Sequence, residues 1–414
     1  MQRRFGAAAV AVALFVPTLG STALAQETPP PTPVPPFGSP SPFPTVLETP
    51  RPSPKPPKVS ARAVALADLT TGQVLYRKNG EDRRPIASLT KLMTAVLTLQ
   101  LARPSETVRV GPEAAAQTGS RLGLRVGERI RVNELLYALL LQSSNDAAVA
   151  LADHVGGSPT RFIKLMNRRA DRLGLDDTRF LSSTGLDDRG YSTALDLTNL
   201  ARRAFANPRF REIVGTKFHR VPAPGPGSRR IQNRNVLLWL YRGAIGGKSG
   251  YTTAADYCLV AAATRGGRSF VAVVLGAPEN AFNDAAALLN YGFAGFRQVQ
   301  LLRTGQRLGE LRVRNRQVPV VAGADLVRLV PTRARESLVF RLKKKPRLRL
   351  PIAAGEVVGK ELVVLRGRVL GSIPAVSGQA VFEEVSLPAL GPARLRPILR
   401  LLEELGRSVV EAFL

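Results

Sequence analysis

Apolar and polar positions follow different periods in successive parts of the chain, and these periods predict the order of its elements. Residues 61–80 read as two strands joined by a turn, and residues 257–277 as a second pair of mostly apolar strands. Between them, residues 104–235 are mainly helical in pattern, and residues 283–296 predict a helix that packs on the sheet. The order sheet, helices, sheet indicates an α+β domain.

A helix that carries two candidate reactive side chains is predicted over residues 83–102. Its apolar positions recur at helical spacing: Leu89, Leu92, Val96 and Leu99. Ser88 and Lys91 lie near its start, where an i, i+3 pair projects to one side of a helix. On these two residues alone, an ordinary helix with both side chains in water remains the alternative.

Helix ends in the central block are marked by their own residues. Residues 131–142 and 146–155 predict two helices, and the Gly156-Gly157 pair follows the second as a stop signal. Thr193 and Asp196 fit a capping box at the start of a later helix.

The pattern changes again near the C-terminus. Residues 298–385 contain short β-rich segments separated by Gly and Pro, which predict a separate small β domain. Lys343, Lys344 and Lys345 lie in this domain, and a solvated strand edge protected by charge is favoured over an anion site.

Residues 386–414 predict an amphipathic C-terminal helix. Its apolar face comprises Leu395, Ile398, Leu399, Leu402, Leu405, Val409 and Phe413. Arginines lie among them, which favours a membrane-surface anchor, whereas Glu403, Glu404 and Glu411 favour docking on protein.

The N-terminus predicts export. Residues 1–25 combine Arg3 and Arg4, an apolar run and a small-residue cleavage site at Ala23–Ala25, as in a secretory signal. Residues 26–58 are dense in proline and predict an extended linker, so that residues 59–297 form the main folded domain. We therefore expect the protein at the outer face of the cytoplasmic membrane, or in the cell wall or periplasm.

Charge and cysteine content narrow the classes of function. The 414 residues include 59 Lys and Arg against 31 Asp and Glu, a net charge of +28. This excess suits anionic surroundings, but no Cys/His finger and no RNA-binding aromatic motif accompanies it, so nucleic acid is not an expected partner. Cys258 is the only cysteine, so the fold cannot depend on an intramolecular disulfide.

Nucleophilic catalysis at Ser88 needs a base, because a serine hydroxyl is a poor nucleophile at neutral pH. The two histidines, His154 and His219, have no neighbouring nucleophile motif, and metal ligands are lacking, so no metal or organic cofactor is expected. Lys91 is the remaining base, if burial among apolar residues and nearby cations lower the pKa of its amine toward neutrality.

Two further motifs follow the Ser88 and Lys91 pair along the chain. Ser143-Ser144-Asn145 lies between two predicted helices, and Lys248-Ser249-Gly250 lies just ahead of a predicted strand. Ser-x-x-Lys, Ser-Asp-Asn and Lys-Thr-Gly occur together in serine β-lactamases and penicillin-binding proteins. The Ser-Ser-Asn and Lys-Ser-Gly of this chain depart from the last two strings but keep their chemical groups. Read separately, Ser143 and Asn145 could be helix caps and Lys248 a surface charge.

The sequence resembles the low-molecular-mass penicillin-binding proteins, specifically the D-alanyl-D-alanine carboxypeptidases of serine peptidase family S11. Besides the three motifs, the resemblance rests on LLLQSSNDAAVALA, LGLDDTRFLSSTGLDDRGYSTALDL, NRNVLLW and GGKSGYTTAADYCLVAAA. It implies a penicillin-binding/β-lactamase-like transpeptidase fold, an antiparallel sheet flanked by helices with a helical subdomain. It also implies removal of the terminal D-alanine from peptidoglycan stem pentapeptides, and acylation by β-lactam antibiotics.

The resemblance also implies a role for each site residue. Ser88 would be the acylated nucleophile, Lys91 its base, and Ser143 the proton relay to the leaving D-alanine. The substrate-binding residues would be Asn145, Arg234, Lys248, Ser249, Gly250 and Tyr251. Backbone N–H groups of Ser88 and Tyr251 would form the oxyanion hole. Ser183–Leu186 departs from the family, which often has a histidine there, so the deacylation environment is open.

Three alternative functions share parts of this pattern. A class A β-lactamase needs a glutamate for deacylation, and Glu212 is the only one between Asn145 and Lys248, in no matching string. A D,D-endopeptidase acting on peptidoglycan cross-links would share the whole set of catalytic residues. A non-catalytic cell-wall-binding scaffold would keep only the fold.

Overall fold

The structure is a computed structural model of the chain, and it describes residues 55–279, 281–332, 338–383 and Arg400. The predicted signal segment, all of the predicted linker up to residue 54, and the predicted terminal helix except Arg400 lie outside the described residues. In the described part of the chain, no helix is long and apolar enough to cross a membrane.

Strands and helices are numbered in chain order over the described residues. The strands are β1 Ala63–Asp68, β2 Val74–Lys78, β3 Thr107–Arg109, β4 Arg129–Arg131, β5 Phe218–Pro222, β6 Ser228–Gln232, β7 Ala244–Thr252, β8 Asp256–Arg265, β9 Arg268–Ala277, β10 Phe296–Leu302, β11 Arg307–Val313, β12 Arg316–Ala322, β13 Leu326–Pro331, β14 Val339–Lys344, β15 Val357–Leu365 and β16 Arg368–Ser377. The α-helices are α1 Lys91–Leu101, α2 Pro112–Ala115, α3 Val132–Tyr137, α4 Asn145–Gly156, α5 Pro159–Arg172, α6 Ala194–Ala206, α7 Pro208–Gly215, α8 Leu237–Leu240 and α9 Phe282–Gly295. A 3₁₀ turn, Ala87–Thr90, precedes α1, and a π-helix, Ala138–Gln142, follows α3.

The main sheet is antiparallel and has the order β2-β1-β9-β8-β7 among the described strands. Alternate residues of each central strand point to opposite faces of this sheet. Both faces are buried, because each of them packs against a hydrophobic core. In β1, Ala63 and Ala65 face a core shared with the helical region, whereas Val64 and Leu66 face a second core beneath α9. The two predicted hairpins and the helix over 283–296 are confirmed, and the expected α+β class with them.

The helical region is interrupted by two antiparallel strand pairs that the sequence did not predict. Strands β3 and β4 pair with each other, as do β5 and β6. β3 and β4 are three residues long, and only Val108 and Ile130 at their centres are buried, which is too short a repeat to show a period. The prediction of a mainly helical block is confirmed, but it did not include these two pairs of strands.

The predicted capping box at Thr193 is only half formed. The Thr193 hydroxyl accepts a hydrogen bond from the Asp196 N–H at 3.0 Å, as expected. The Asp196 carboxylate instead accepts from the Asp177 N–H and the Thr178 hydroxyl, at 3.0 and 2.7 Å. It therefore holds the preceding loop against the start of α6 rather than returning to Thr193.

The C-terminal β region consists of the pair β10-β13 and a sheet of order β11-β12-β16-β15-β14 among the described strands. β14 lies at the sheet edge with Lys343 and Lys344 exposed, as the charge pattern predicted. The change from α9 to β10 falls at Gly295 and Phe296, just before the predicted boundary. Two hydrogen bonds between the side-chain amide of Gln73 and the backbone of Leu329, at 2.7 and 2.9 Å, join this region to the main sheet.

Candidate active site

Ser88 lies in the 3₁₀ turn ahead of α1, not inside the helix that its sequence pattern predicted. The helix begins only at Lys91, because Ala87 has φ of 46°, a left-handed conformation that an α-helix cannot contain. A non-glycine residue in this region is strained, and such strain is commonly held at functional sites. The turn exposes part of the Ser88 side chain while its neighbours Ala87 and Leu89 remain buried.

Lys91 is the best-defined polar group of the site. It is completely buried, and its Nζ lies 2.8 Å from each of three oxygen atoms, the Ser88 Oγ, the Asn145 Oδ1 and the Thr184 carbonyl oxygen. A neutral amine has two N–H donors and one lone pair. Asn145 and Thr184 can accept those two donors, which leaves the lone pair to accept the Ser88 hydroxyl proton.

The surroundings of Lys91 favour that neutral form. Burial, and after it the positive charge of Arg234, lowers the pKa of Lys91 from its ordinary value to about 7, against an opposing effect of Asp146. The two causes are the ones expected from the sequence. A base whose pKa lies near the working pH combines an available lone pair with useful basicity.

Ser143 and Asn145 are positioned by the π-helix and the start of α4. The predicted helix over 131–142 ends as a π-helix, and Ser143 follows it with φ of 65°, which reverses the chain into α4. The Asn145 amide donates to the Thr118 carbonyl at 2.8 Å while its oxygen accepts from Lys91. Asn145 is therefore not a helix cap, and its side chain connects α1 to the loop between α2 and β4.

Asp146 organises this loop and was missed by sequence reasoning. Its carboxylate accepts backbone hydrogen bonds from Leu122, Gly123 and Leu124, at distances between 2.8 and 3.1 Å. The Ser120 hydroxyl in the same loop accepts from Arg234 Nη1 at 2.7 Å. The aspartate follows the Ser-x-Asn triplet directly, and that adjacency was the only available sign of its role.

Lys248, Ser249 and Gly250 lie within β7, the edge strand, rather than ahead of a strand. The prediction was wrong because the glycine-rich composition of this segment is atypical of strands. A Cβ atom at Gly250 would lie 2.9 Å from the Ser88 backbone nitrogen, closer than real contacts allow. Glycine is thus required for β7 to approach the Ser88 turn, whereas the sequence suggested only room for substrate.

Two further cations converge on the site. Lys248 is 1% exposed, which excludes the alternative of a surface charge, and its Nζ donates to the Ser249 carbonyl at 2.6 Å. Burial, followed by the charges of Lys91 and Arg234, lowers the pKa of Lys248 well below its ordinary value. An anionic ligand beside Lys248 and Arg234 would relieve this mutual repulsion.

The segment Ser183–Leu186 packs against Lys91 and the Ser88 turn. The Thr94 hydroxyl of α1 donates to the Ser183 carbonyl at 2.8 Å, and the next carbonyl, that of Thr184, accepts from Lys91. Gly185 has φ of +83°, and a Cβ atom there would lie 1.9 Å from the Ala87 carbonyl oxygen. This segment therefore contacts both Lys91 and the strained turn.

Substitution of Gly185 by alanine should disrupt the Ser88 turn. Gly127→Ala is the matched control, since Gly127 has φ of +80° but open space around its Cα. In the control, the left-handed backbone alone should lower the free energy of unfolding by about 1–2 kcal/mol. In Gly185→Ala, the collision of the new Cβ with the Ala87 carbonyl oxygen should lower the free energy of unfolding by about 1–3 kcal/mol more. It should also slow the acylation of Ser88. Denaturant unfolding measures the loss of stability, and the rate of β-lactam labelling measures the acylation of Ser88. Equal losses of stability in the two variants would contradict this packing.

The structure thus brings most of the predicted site residues together. Ser88, Lys91 and Asn145 are in direct contact, Gly250 adjoins Ser88, and Lys248 lies on the same strand. Tyr251 is 41% exposed at the outer end of β7, where its ring lies 4.6 Å from that of Tyr257.

The two histidines, and the glutamate considered for a β-lactamase mechanism, form contacts elsewhere in the molecule. His154 and His219 contact Glu106 and Glu134, at 3.0 and 2.8 Å. Glu212 accepts from the Tyr137 hydroxyl at 3.3 Å and forms an ion pair with Arg209. None of these contacts joins Ser88 or Lys91.

This sheet, with its helical region and a buried lysine beside a serine at the sheet edge, defines a penicillin-binding/β-lactamase-like transpeptidase fold. A family profile described as D-alanyl-D-alanine carboxypeptidase, of the S11 peptidases, matches residues 51–279. A second profile, described as penicillin-binding protein 5, C-terminal domain, matches residues 296–383.

Individual relatives agree with these profiles. D-alanyl-D-alanine carboxypeptidase DacF of Bacillus subtilis is 30% identical over 329 residues, covering 77% of this chain and 85% of the relative. The D-alanyl-D-alanine carboxypeptidase of Streptomyces strain K15 is 40% identical over 244 residues, covering 54% of this chain and 84% of the relative. The crystal structure of penicillin-binding protein 5 from Haemophilus influenzae has a TM-score of 0.68 at 29% identity, covering 80% of this chain and all of its own. The chain therefore belongs to the S11 family of D-alanyl-D-alanine carboxypeptidases, a family of hydrolases.

Proposed function

We propose that the protein removes the terminal D-alanine from peptidoglycan stem pentapeptides through an acyl-enzyme at Ser88. The observation that supports this most directly is the contact of Lys91 with Ser88, with the lone pair of a neutral amine available for the hydroxyl proton. Family membership supports the choice of substrate class.

Acylation would begin with attack of the Ser88 Oγ on the carbonyl carbon of the D-Ala-D-Ala bond. The C–O bond forms as the hydroxyl proton passes to Lys91 Nζ. The negative charge that develops on the carbonyl oxygen would be stabilised by the backbone N–H groups of Ser88 and Tyr251. The C–N bond then breaks, and the leaving amine takes a proton relayed from Lys91 through the Ser143 hydroxyl.

Substrate orientation would come from the cations around β7. The terminal carboxylate is placed beside Lys248, the Ser249 hydroxyl and Arg234, where charge-assisted hydrogen bonds are strong. Binding would raise the pKa of Lys248 back toward its ordinary value, since the anion favours the ammonium form. The Asn145 Nδ2 carries two hydrogens, of which Thr118 accepts one, and the other would hold the substrate amide.

Deacylation would use water in place of the departed D-alanine, with Lys91 again accepting a proton. β-Lactam antibiotics present a reactive amide beside a carboxylate, and they would acylate Ser88 in the same way.

The compartment is inferred from the terminal segments. The residue 1–25 signal would export the chain, and cleavage would leave the proline-rich segment ahead of the enzyme. The amphipathic helix of residues 386–414 would hold the protein at the membrane surface, close to its peptidoglycan substrate.

The direct test is D-alanine release by the full mature chain from a synthetic peptide ending in D-Ala-D-Ala. We expect release from this peptide, and no cleavage of purified cross-linked peptide dimers. Cleavage of the dimers alone would replace the proposal with a D,D-endopeptidase. Binding to peptidoglycan without any cleavage or β-lactam labelling, by protein shown to be folded, would replace it with a wall-binding scaffold.

A further inference from the structure

A second cavity lies at the opposite end of β7 from Gly250. It has a volume of about 1090 Å³ and lies between the sheet, α6 and α7. Ile245 of β7 lines it, three positions before Lys248, a distance of about 10 Å along a strand. None of the predicted site residues is among its lining residues. The cavity is therefore separate from the site of Ser88.

Its charge is strongly positive. Arg202, Arg203 and Arg211 line it together with a single carboxylate, that of Glu212, which already forms an ion pair with Arg209. In the part of the chain that the structure describes, none of the three lining arginines forms an ion pair. An anionic ligand would supply the missing counter-charge.

The arginines are held in place by backbone groups. Arg202 Nη2 donates to the Thr70 carbonyl at 3.3 Å, and Arg211 Nη1 donates to the Phe205 carbonyl at 2.6 Å. Their geometry is thus partly fixed before any ligand binds, which lowers the entropy cost of binding. Arg203 is exposed at the cavity mouth.

The neighbouring helix adds to the positive field. Burial lowers the pKa of Arg169 on α5, and the charges of Arg203 and Arg172 lower it further. The Arg169 Nε is also buried without a hydrogen-bond partner. Arginines from α5 and α6 are therefore close enough for their charges to repel one another.

The walls indicate the size and kind of ligand. A cavity of about 1090 Å³ is far larger than a simple anion needs, since one water occupies about 30 Å³ in the liquid. Apolar surface comes from Leu69, Leu173, Phe205 and Ile245, and hydrogen-bonding groups come from Asn199 and Thr264. A hydrocarbon tail alone would leave the three arginines without a counter-charge, whereas a peptide that bears a carboxylate can pair with them and place its methyl groups against the apolar wall.

We propose that this cavity is a second binding site for a carboxylate-bearing stem peptide of peptidoglycan, recognised by Arg202, Arg203 and Arg211. The inference rests on the proposed function, because the polymer acted on at Ser88 carries many such peptides. One strand of the polymer would then be held at two points, with one peptide at Ser88 and another beneath α6 and α7. Such bivalent contact raises the effective concentration of substrate without altering the catalytic residues.

The test begins with full-length protein in which Ser88 is acylated by a β-lactam, verified by intact mass, so that the catalytic site is blocked. Calorimetric titration with a synthetic stem peptide ending in a single D-alanine should still show binding to one site. Arg203→Glu should weaken this binding at least tenfold, while the control Arg168→Glu, on an exposed arginine outside the cavity, should leave it unchanged. A triple change of Arg202, Arg203 and Arg211 to glutamine should abolish it.

Several outcomes would overturn the proposal. No binding to the blocked parent would exclude the second site, and so would equal binding by Arg203→Glu. Equal displacement of the peptide by inorganic phosphate would reduce the cavity to a simple anion site, and binding of anionic phospholipid vesicles in place of the peptide would make the ligand a lipid. Because Arg203 is exposed, its variant should fold even if the triple variant does not.

Failure of the second site is distinguishable from failure of the proposed function. Arg203→Glu should release D-alanine from a short soluble peptide at the parent rate, and should lose activity only on polymeric peptidoglycan. If the parent neither releases D-alanine nor accepts a β-lactam, the proposed function itself fails. If the parent does both but its blocked form binds no peptide, only the second site is wrong.

Discussion

Replacement of Ser88 by alanine is expected to abolish both D-alanine release and covalent labelling by β-lactams. Without the Oγ no acyl-enzyme can form, and loss of a nucleophile costs several orders of magnitude, at least about 10⁴-fold in kcat. The side chain is small and only partly buried, so the fold should survive. D-alanine release and a fluorescent penicillin gel measure the two effects in parallel.

The control for this change is Ser228→Ala, a serine exposed on β6. It should retain parent activity and labelling. Residual labelling of Ser88→Ala at the parent level would show that another residue is acylated, and would remove Ser88 from the mechanism. Peptide mass mapping of labelled parent protein would identify the acylated residue.

Replacement of Lys91 by methionine should reduce acylation by about 10²–10⁴-fold, the usual contribution of a general base. Lys91→Arg should not restore activity, because a guanidinium stays protonated at any accessible pH. In the parent, kcat/KM should rise with pH through about 7, since the neutral form of Lys91 is the active one and its fraction falls tenfold per pH unit below that value.

Methionine approximates the length of the buried lysine side chain, so thermal unfolding of Lys91→Met should report a folded protein. Stopped-flow β-lactam acylation between pH 5 and pH 9, on parent and variant, separates the base from general structural effects. A flat pH profile in the parent would contradict a lysine base. A profile that falls as pH rises through 7 would require the protonated form instead.

Much of the fold was predictable because it depends on local pattern. The strand pairs at each end of the main domain have unambiguous apolar runs and glycine-rich turns, and α9 has a continuous apolar face. β7 was missed because its glycines serve contacts with distant backbone, such as that between Gly250 and Ser88. A strand that needs glycines for close contact with another backbone does not have the amino-acid composition typical of a strand.

The sequence by itself determined the chemical groups of the site, since Ser88, Lys91, Asn145 and Lys248 stand in motifs whose order can be read directly. Only the tertiary structure decided how Lys91 could act. Its complete burial and its contacts come from segments more than fifty residues away, at Asn145 and Thr184. The left-handed conformation of Ala87, which precedes the Ser88 turn and delays the start of α1 to Lys91, also has no local signal. Desolvation and backbone strain depend on what packs around a residue, and a linear pattern contains no record of those neighbours.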